Sequence, residues 1–372
     1  MSCARVECTG GGDGESMMER ADPPDFDRFL AAIKGGHADR VPVAEALVDN
    51  GIKAAVLGRP VLNLEDDVAF WAKAGYDFIC LPSGLLDPGQ TVDGDRPLGS
   101  REDSYGPAAG QVKWASEGQG VIRSIGDVEA YPWPSVEQLI PDHLSEVAPL
   151  LPDGMKVVVT TGKVFTAAWQ LMGFESFCFA VYDKPALVET LLKRIARLQL
   201  AAYERICEMD SVGGFWFSDD MTHADGMMVS PEILRRHVFP WYAEMVRLAH
   251  HHGKIAIFHS DGRLWRVMDD ILACGFDALH PIEPKAMDIE DVRERTEGRI
   301  ALIGNIDLDY PLTTGTPEAV RAQVRERIAA LAPDGGYLVG SSNSIPGWVP
   351  VPNYLAMLQA TFDYGTYPIS LA

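Results

Sequence analysis

Ile255-Ala-Ile-Phe-His-Ser-Asp-Gly262 opens on four apolar residues and closes on polar ones. A short apolar run of this kind fits a strand buried on both faces, as in a parallel sheet. His259 and Asp261 stand two residues apart, and alternate residues of a strand share a face. The stretch therefore sets two potential metal ligands or acid–base groups side by side at the C-terminal end of a buried strand.

Outward from it, the same kind of run recurs. Arg40–Leu47, Tyr76–Pro82, Val157–Gly162 and Gly214–Asp220 precede it, and Ala278–Glu283, Ile300–Asn305 and Gly336–Ser342 follow. Helical periodicity fills the intervals, at 25–35, 51–58, 64–74, 184–209, 263–274, 288–296 and 351–362. Ser230-Pro231 and Thr316-Pro317 each open a further helix, with an N-cap side chain followed by proline at the first helical position. The spacing predicts one helix from Ser230-Pro231 to Gly253. Eight strands alternating with helices predict an α/β fold, a (β/α)8 TIM barrel. The alternative is a doubly wound open sheet, which usually carries a Gly-rich phosphate fingerprint after its first strand, and none is present here. Residues 84–135, rich in Gly, Pro and Asp, form an insertion between strands two and three, with hairpin strands expected at Gln111–Trp114 and Gly120–Ser124. The insertion reads either as a lid or binding loop or as a surface excursion. Residues 1–24 read as a flexible tail, and 25–372 as one barrel domain.

Composition narrows the function classes. The net charge of −21 argues against nucleic acid, whose affinity comes mainly from Lys and Arg meeting phosphates. The chain has no apolar run of membrane-span length and no signal-peptide pattern, so no membrane partner is expected and a cytoplasmic location is. Six cysteines include no CxxC pair, which leaves neither a disulfide framework nor a zinc ribbon.

The C-terminal strand ends are where such barrels build active sites. Polar residues gather there: Glu45, Ser83, Thr160, Thr161 and Lys163, then Asp219, Asp220 and His223, then Asn305, Asp307, Ser341, Ser342 and Asn343. His259, Asp261 and Glu283 come from adjacent strands and form the sharpest group. Three N/O ligands with one open position is the usual form of catalytic zinc, and a set without thiolates also suits Mn or Fe. The same three residues equally make a hydrogen-bonded polar cluster without metal. Of Asp219 and Asp220, one should face the pocket as a general acid or base, while the other caps a helix or pairs with a rim cation. His223 follows in a loop, either exposed or against substrate. Trp216 reads as core or pocket wall, His280 as a core histidine, and His250-His-His252 as a structural helix end.

Several motifs together resemble the uroporphyrinogen decarboxylase superfamily. They are Arg40-Val-Pro, Asp219-Asp220 with Met228-Val-Ser-Pro231, Phe258-His-Ser-Asp-Gly262, Pro281-Ile-Glu-Pro284, Gly304-Asn-Ile-Asp307, Gly315–Val320 and Gly335–Ile345. The resemblance covers roughly 27–365 and implies a (β/α)8 barrel. True decarboxylases of that superfamily carry an Arg-rich N-terminal motif and an Asp near strand two, whereas this chain has Val41-Pro-Val-Ala-Glu45 and Leu81-Pro-Ser83. The other branch is similar to methyltransferases that serve corrinoid cofactors or thiols and hold zinc on a His-x-Cys motif with a distant Cys. Here His259 matches the His, Asp261 stands for the first Cys, Glu283 falls near the Glu of a related barrel, and Asn343 stands for the last Cys. The resemblance thus implies zinc on His259, Asp261 and Glu283, catalytic work by Asp219, Asp220 and His223, and substrate contacts from Asn305, Asn343 and Trp216. A harder metal suits polarisation of an ether or alcohol oxygen, which implies an O-demethylase-like methyltransferase with a separate corrinoid protein, and the family suggests a homodimer. The alternatives are a metal-free decarboxylase or lyase with Lys163, Arg263 and Lys285 at its rim, and a non-catalytic binding protein on the same barrel.

Overall fold

The computed structural model describes residues 22–83, 120–223 and 226–370. Seven parallel strands form one sheet: β1 (Phe78–Pro82), β2 (Lys156–Thr161), β3 (Val212–Ser218), β6 (Ile255–His259), β7 (Ala278–His280), β8 (Ala301–Ile303) and β9 (Tyr337–Leu338). A two-stranded antiparallel hairpin, β4 (Thr222–His223) with β5 (Gly226–Met227), follows β3. Each strand of the large sheet neighbours the one before it in the chain, without the order reversal of a doubly wound sheet. The strands are buried on both faces, as their unbroken apolar runs require; Val157, Val158 and Val159 have no exposed surface.

The expected first strand, Arg40–Leu47, is reduced to isolated parallel pairings of Val43 with Val339 and of Val48 with Ile345. Ala44 N–H donates to Val339 O at 2.8 Å and Val339 N–H to Pro42 O at 3.0 Å. Pro42 has no N–H of its own, so a full ladder is not available to this segment. Its position is nonetheless decisive, because it lies against the last strand rather than an internal one. On its other side Arg40 donates to Gly75 O at 3.3 Å, and its guanidinium lies 4.0 Å from Asp77, just below β1. First and last elements meet, and the curled sheet is TIM-barrel-like.

Other expectations change in detail. Gly120–Ser124 is no hairpin strand. Gly120 N–H and Ile122 N–H bond to Met172 O and Leu171 O, and Ser124 then caps the helix Ile125–Ala130 in a reciprocal box with Asp127. The hairpin strand expected at Gln111–Trp114, most of the 84–135 insertion and residues 1–21 of the expected tail lie outside the described residues. The helix expected from Ser230-Pro231 to Gly253 breaks into Pro231–His237 and Phe239–His251, because Pro240 cannot continue the first and suits the opening turn of the second. The barrel interior is aromatic: Phe78 lies 6.3 Å from Trp216, which meets His280 edge-on at 4.9 Å. Trp216 and Phe78 are fully buried, and burying a large apolar side chain contributes about 1.5–3 kcal/mol.

Candidate functional site

β3 ends at Ser218, and the two acidic residues after it part company. Asp219 turns inward and is fully buried. Its Oδ2 accepts from Phe165 N–H at 2.8 Å and its Oδ1 from Thr166 N–H at 2.7 Å, the open N–H groups at the start of the helix Phe165–Met172. Tyr242 O–H also donates to it. Burial pushes its carboxyl up to about 6 against the pull of these donors. Asp219 is thus the capping member of the pair, and Asp220 faces the open end of the barrel.

Asp220 Oδ1 accepts from Asp261 N–H at 3.1 Å and lies 3.7 Å from His259 Nε2. Asp261 Oδ1 lies 3.9 Å from the same nitrogen. One atom each from Asp220, His259 and Asp261 converges within 4.8 Å. Asn343 Nδ2 donates to Asp261 Oδ2 at 2.7 Å, so the last strand's polar end orients this carboxylate. Asp261 Oδ1 is shut off from solvent and has no hydrogen-bond partner among the described residues. Burial raises the Asp261 carboxyl above the ordinary carboxylate range; His259 opposes this, and Asp220 and Glu283 add to it. Glu283 does not join the convergent atoms. Its Oε2 accepts from Gly262 N–H at 3.2 Å, and it flanks the site through the backbone of the turn after β6.

His259 and His280 are register partners at the ends of β6 and β7. Their Nδ1 atoms lie 2.7 Å apart and their rings stack at 4.9 Å. His280 is fully buried, and burial together with its neighbour His259 holds it well below the ordinary histidine range. Its Nε2 has no partner among the described residues. Trp216 packs edge-on against it, is fully buried, and its indole nitrogen has no partner among the described residues. Asn305 is also buried; its Nδ2 donates to Ile282 O at 2.9 Å, and its Oδ1 has no partner among the described residues. The side chain of His223 lies outside the described residues. Sequence reasoning passed over His280 as core. The signal that could have found it is the pairing of His259 and His280 at equivalent ends of adjacent parallel strands.

The donor set fits a divalent cation. It offers one imidazole nitrogen and two carboxylate oxygens and leaves a position open. Two ligands, each roughly 2 Å from a tetrahedral ion, stand roughly 3.3 Å apart, so 3.7 and 3.9 Å are close to a bound arrangement. Asp220, Asp261 and Glu283 form no ion pair with a Lys or Arg among the described residues. Asp220 and Glu283 add to the rise of the Asp261 carboxyl, and a bound cation would relieve that.

Similarity to known proteins runs in two directions. The chain is 24% identical over 281 residues to a protein named uroporphyrinogen decarboxylase from Pseudomonas fluorescens (strain SBW25), covering 69% of this chain and 74% of that one. A counterpart of the same name from Azotobacter vinelandii (strain DJ / ATCC BAA-1303) is 25% identical over 263 residues, 65% of this chain and 69% of that one. A solved structure described as a methyltransferase from Methanosarcina mazei superposes with a TM-score of 0.66 at 19% identity, covering 91% of this chain and 98% of the other. That last likeness speaks for the fold. The family model for uroporphyrinogen decarboxylase (URO-D) matches residues 119–364, from ahead of β2 to the end of the C-terminal helix. The chain belongs to the uroporphyrinogen decarboxylase family.

Proposed function

We propose that this chain is a metal-dependent methyltransferase that takes a methyl group from an oxygen-bound donor and passes it to a corrinoid carried by a separate protein. The observation that carries the reading is the convergence of Asp220, His259 and Asp261 around a buried carboxylate oxygen with no hydrogen-bond partner and no Lys or Arg paired to it among the described residues. Asp220 Oδ1, His259 Nε2 and Asp261 Oδ1 are the atoms that would hold the metal. When bound, zinc or a harder divalent ion supplies a Lewis acid that draws electron density from the donor's oxygen. Thiolate ligands would soften the ion; carboxylates keep it hard, which suits an ether or alcohol oxygen better than a thiol.

The rest of the work belongs to the chain. Asn343 fixes Asp261 through Oδ2 and leaves Oδ1 aimed inward. Glu283 keeps one carboxylate oxygen beyond its bond to Gly262 and can orient a hydrogen-bond donor of the substrate. In such a transfer the carbon–oxygen bond would break with its electron pair left on oxygen, and a corrinoid held over the strand ends would supply the nucleophile that accepts the methyl group. The open strand ends are the docking face for the corrinoid protein, and homodimerisation belongs to the same reading.

A second reading has its own support, since the sequence relatives carry the name decarboxylase. Release of carbon dioxide from a polycarboxylate such as a porphyrinogen needs cations at the rim. Lys285 is exposed and already engaged by Asp309. Titration of the metal-stripped protein with Zn2+ and Mn2+ tests the first reading. Stoichiometric binding is expected, lost in Asp220→Asn, His259→Ala and Asp261→Asn and kept in Asp219→Asn. A protein that binds neither ion, works in chelator and releases carbon dioxide from a porphyrinogen establishes the second reading instead.

A further inference from the structure

His280 is costly as packing alone. It is fully buried, and its Nε2 makes no hydrogen bond among the described residues. A phenylalanine or leucine would fill the same space beside Trp216 without an unpaired polar atom. The one polar contact its side chain makes among the described residues is Nδ1 to Nδ1 with His259, at 2.7 Å. Exactly one proton must lie between these two atoms, because two would repel and none would leave two lone pairs facing. With His259 neutral, whichever ring carries it determines what His259 presents at Nε2, 3.7 Å from Asp220 and 3.9 Å from Asp261. Both separations exceed a hydrogen bond, so Nε2 makes no direct bond to either carboxylate.

We propose that His280 is the positioning residue of the metal centre: its Nδ1 accepts the Nδ1 proton of His259, leaving the bare Nε2 of His259 aimed between Asp220 and Asp261. The inference rests on the metal reading above. The proton of His280 then sits on Nε2, facing the barrel interior. The stacked rings, in register at the ends of β6 and β7, hold the plane of His259 as well as its tautomer. Backbone bonding supports the same alignment, since Ser260 N–H donates to His280 O at 3.2 Å. A ligating histidine commonly donates its far N–H to a carboxylate or backbone carbonyl. Here a second imidazole takes that place, and unlike a carboxylate it brings no further negative charge to a site already rich in it.

The test compares His280→Phe and His280→Asn in Zn2+ and Mn2+ titration of the stripped protein, with melting temperatures as the folding control. Asn can present Oδ1 near the position of the lost Nδ1, whereas Phe fills the space without an acceptor. His280→Phe should weaken metal binding roughly 10- to 100-fold while His280→Asn stays within a few-fold of the parent. Equal binding by parent and His280→Phe, or equal loss in both variants at unchanged melting temperature, overturns the proposal and leaves the metal reading standing. A second measurement is independent of both variants and of metal. It is the nitrogen-15 spectrum of the parent's His259 ring, assigned with His259→Gln. A proton on Nδ1 and none on Nε2 supports the proposal, and the reverse overturns it. Absence of metal binding by the parent sinks the metal reading itself, and with it the proposed role.

Discussion

Glu45 illustrates how a single residue answers to its surroundings. It is fully buried, accepts from Ser341 N–H at 2.6 Å and pairs with Ser341 Oγ at 2.8 Å, and burial pushes its carboxyl up to about 8. Between its ordinary value of 4.5 and about 8, the folded chain holds a proton that the unfolded chain has released. Stability from this group is therefore complete below the lower value and is lost as pH rises through the upper one, by at most about 1.4 kcal/mol per pH unit. Glu45→Gln keeps one acceptor and one donor for Ser341. Its urea midpoint should fall less between pH 5.5 and 8.5 than the parent's; parallel slopes would contradict a protonated Glu45. Asp261 makes the same point within the site. Its chemistry follows from the Asn343 amide and the Asp220 and Glu283 carboxylates around it, none of which is near it in the chain apart from the fold.

At the scale of elements, one loop-end carboxylate joins three pieces of secondary structure. Asp219, just past β3, closes the N-terminus of Phe165–Met172 and receives Tyr242 from Phe239–His251. Asp219→Ala leaves two helix N–H groups unpaired, while the Tyr242 hydroxyl keeps Gly162 O at 2.7 Å, at a cost of about 2–4 kcal/mol in urea unfolding. Metal titration of the same variant should match the parent, since Asp220 keeps its own bonds. A preserved midpoint would remove the capping role. Most helices here were legible because their ends carry chemistry. Ser230 and Thr316 cap as expected, and Asp288 and Asn63 do likewise for Ile289–Thr296 and Leu64–Lys73. The break before Phe239 was also written in the chain, at Pro240, but apolar periodicity runs straight through it. Strands were legible as apolar runs, and their lengths were not. Gly336–Ser342 is assigned as strand only at Tyr337–Leu338, because ladder bonding depends on the neighbour as well as on the run.

The whole molecule is closed by its first and last elements and by a buried charge network below β1. Arg28 from the helix Phe26–Ile33 lies 2.6 Å from Asp77, and Arg40 from the closing segment lies 4.0 Å away. Burial holds the Asp77 carboxyl up, at about 6, against the attraction of Arg40 and Arg28. Removing one member of such a group strands the others: Asp77→Ala should cost about 3–5 kcal/mol in denaturant unfolding. Arg59→Ala, which breaks the partly exposed pair with Asp66, should cost no more than about 1 kcal/mol. Similar losses in the two variants would show that the network below β1 is not what ties the ring shut. No helix among the described residues is long and apolar enough to cross a membrane.

By itself the sequence determined the alternation of apolar runs and amphipathic helices, and with it the parallel α/β order, because burial on both faces and helical periodicity are local patterns. It also determined that the polar residues collect at the C-terminal strand ends, and that only one of Asp219 and Asp220 faces the site, since neighbours on an extended chain point apart. Three things were decided only in three dimensions. Segment 40–48 lies against β9 because the curl of the sheet brings the start of the chain to its last strand. Asp220, rather than Glu283, converges on His259 and Asp261 because the chain after β3 bends across the barrel mouth. His280 backs His259 because β6 and β7 pair in a register that no periodicity records. Each depends on distances between residues far apart in the chain, and those are set by packing the whole barrel rather than by any stretch of it.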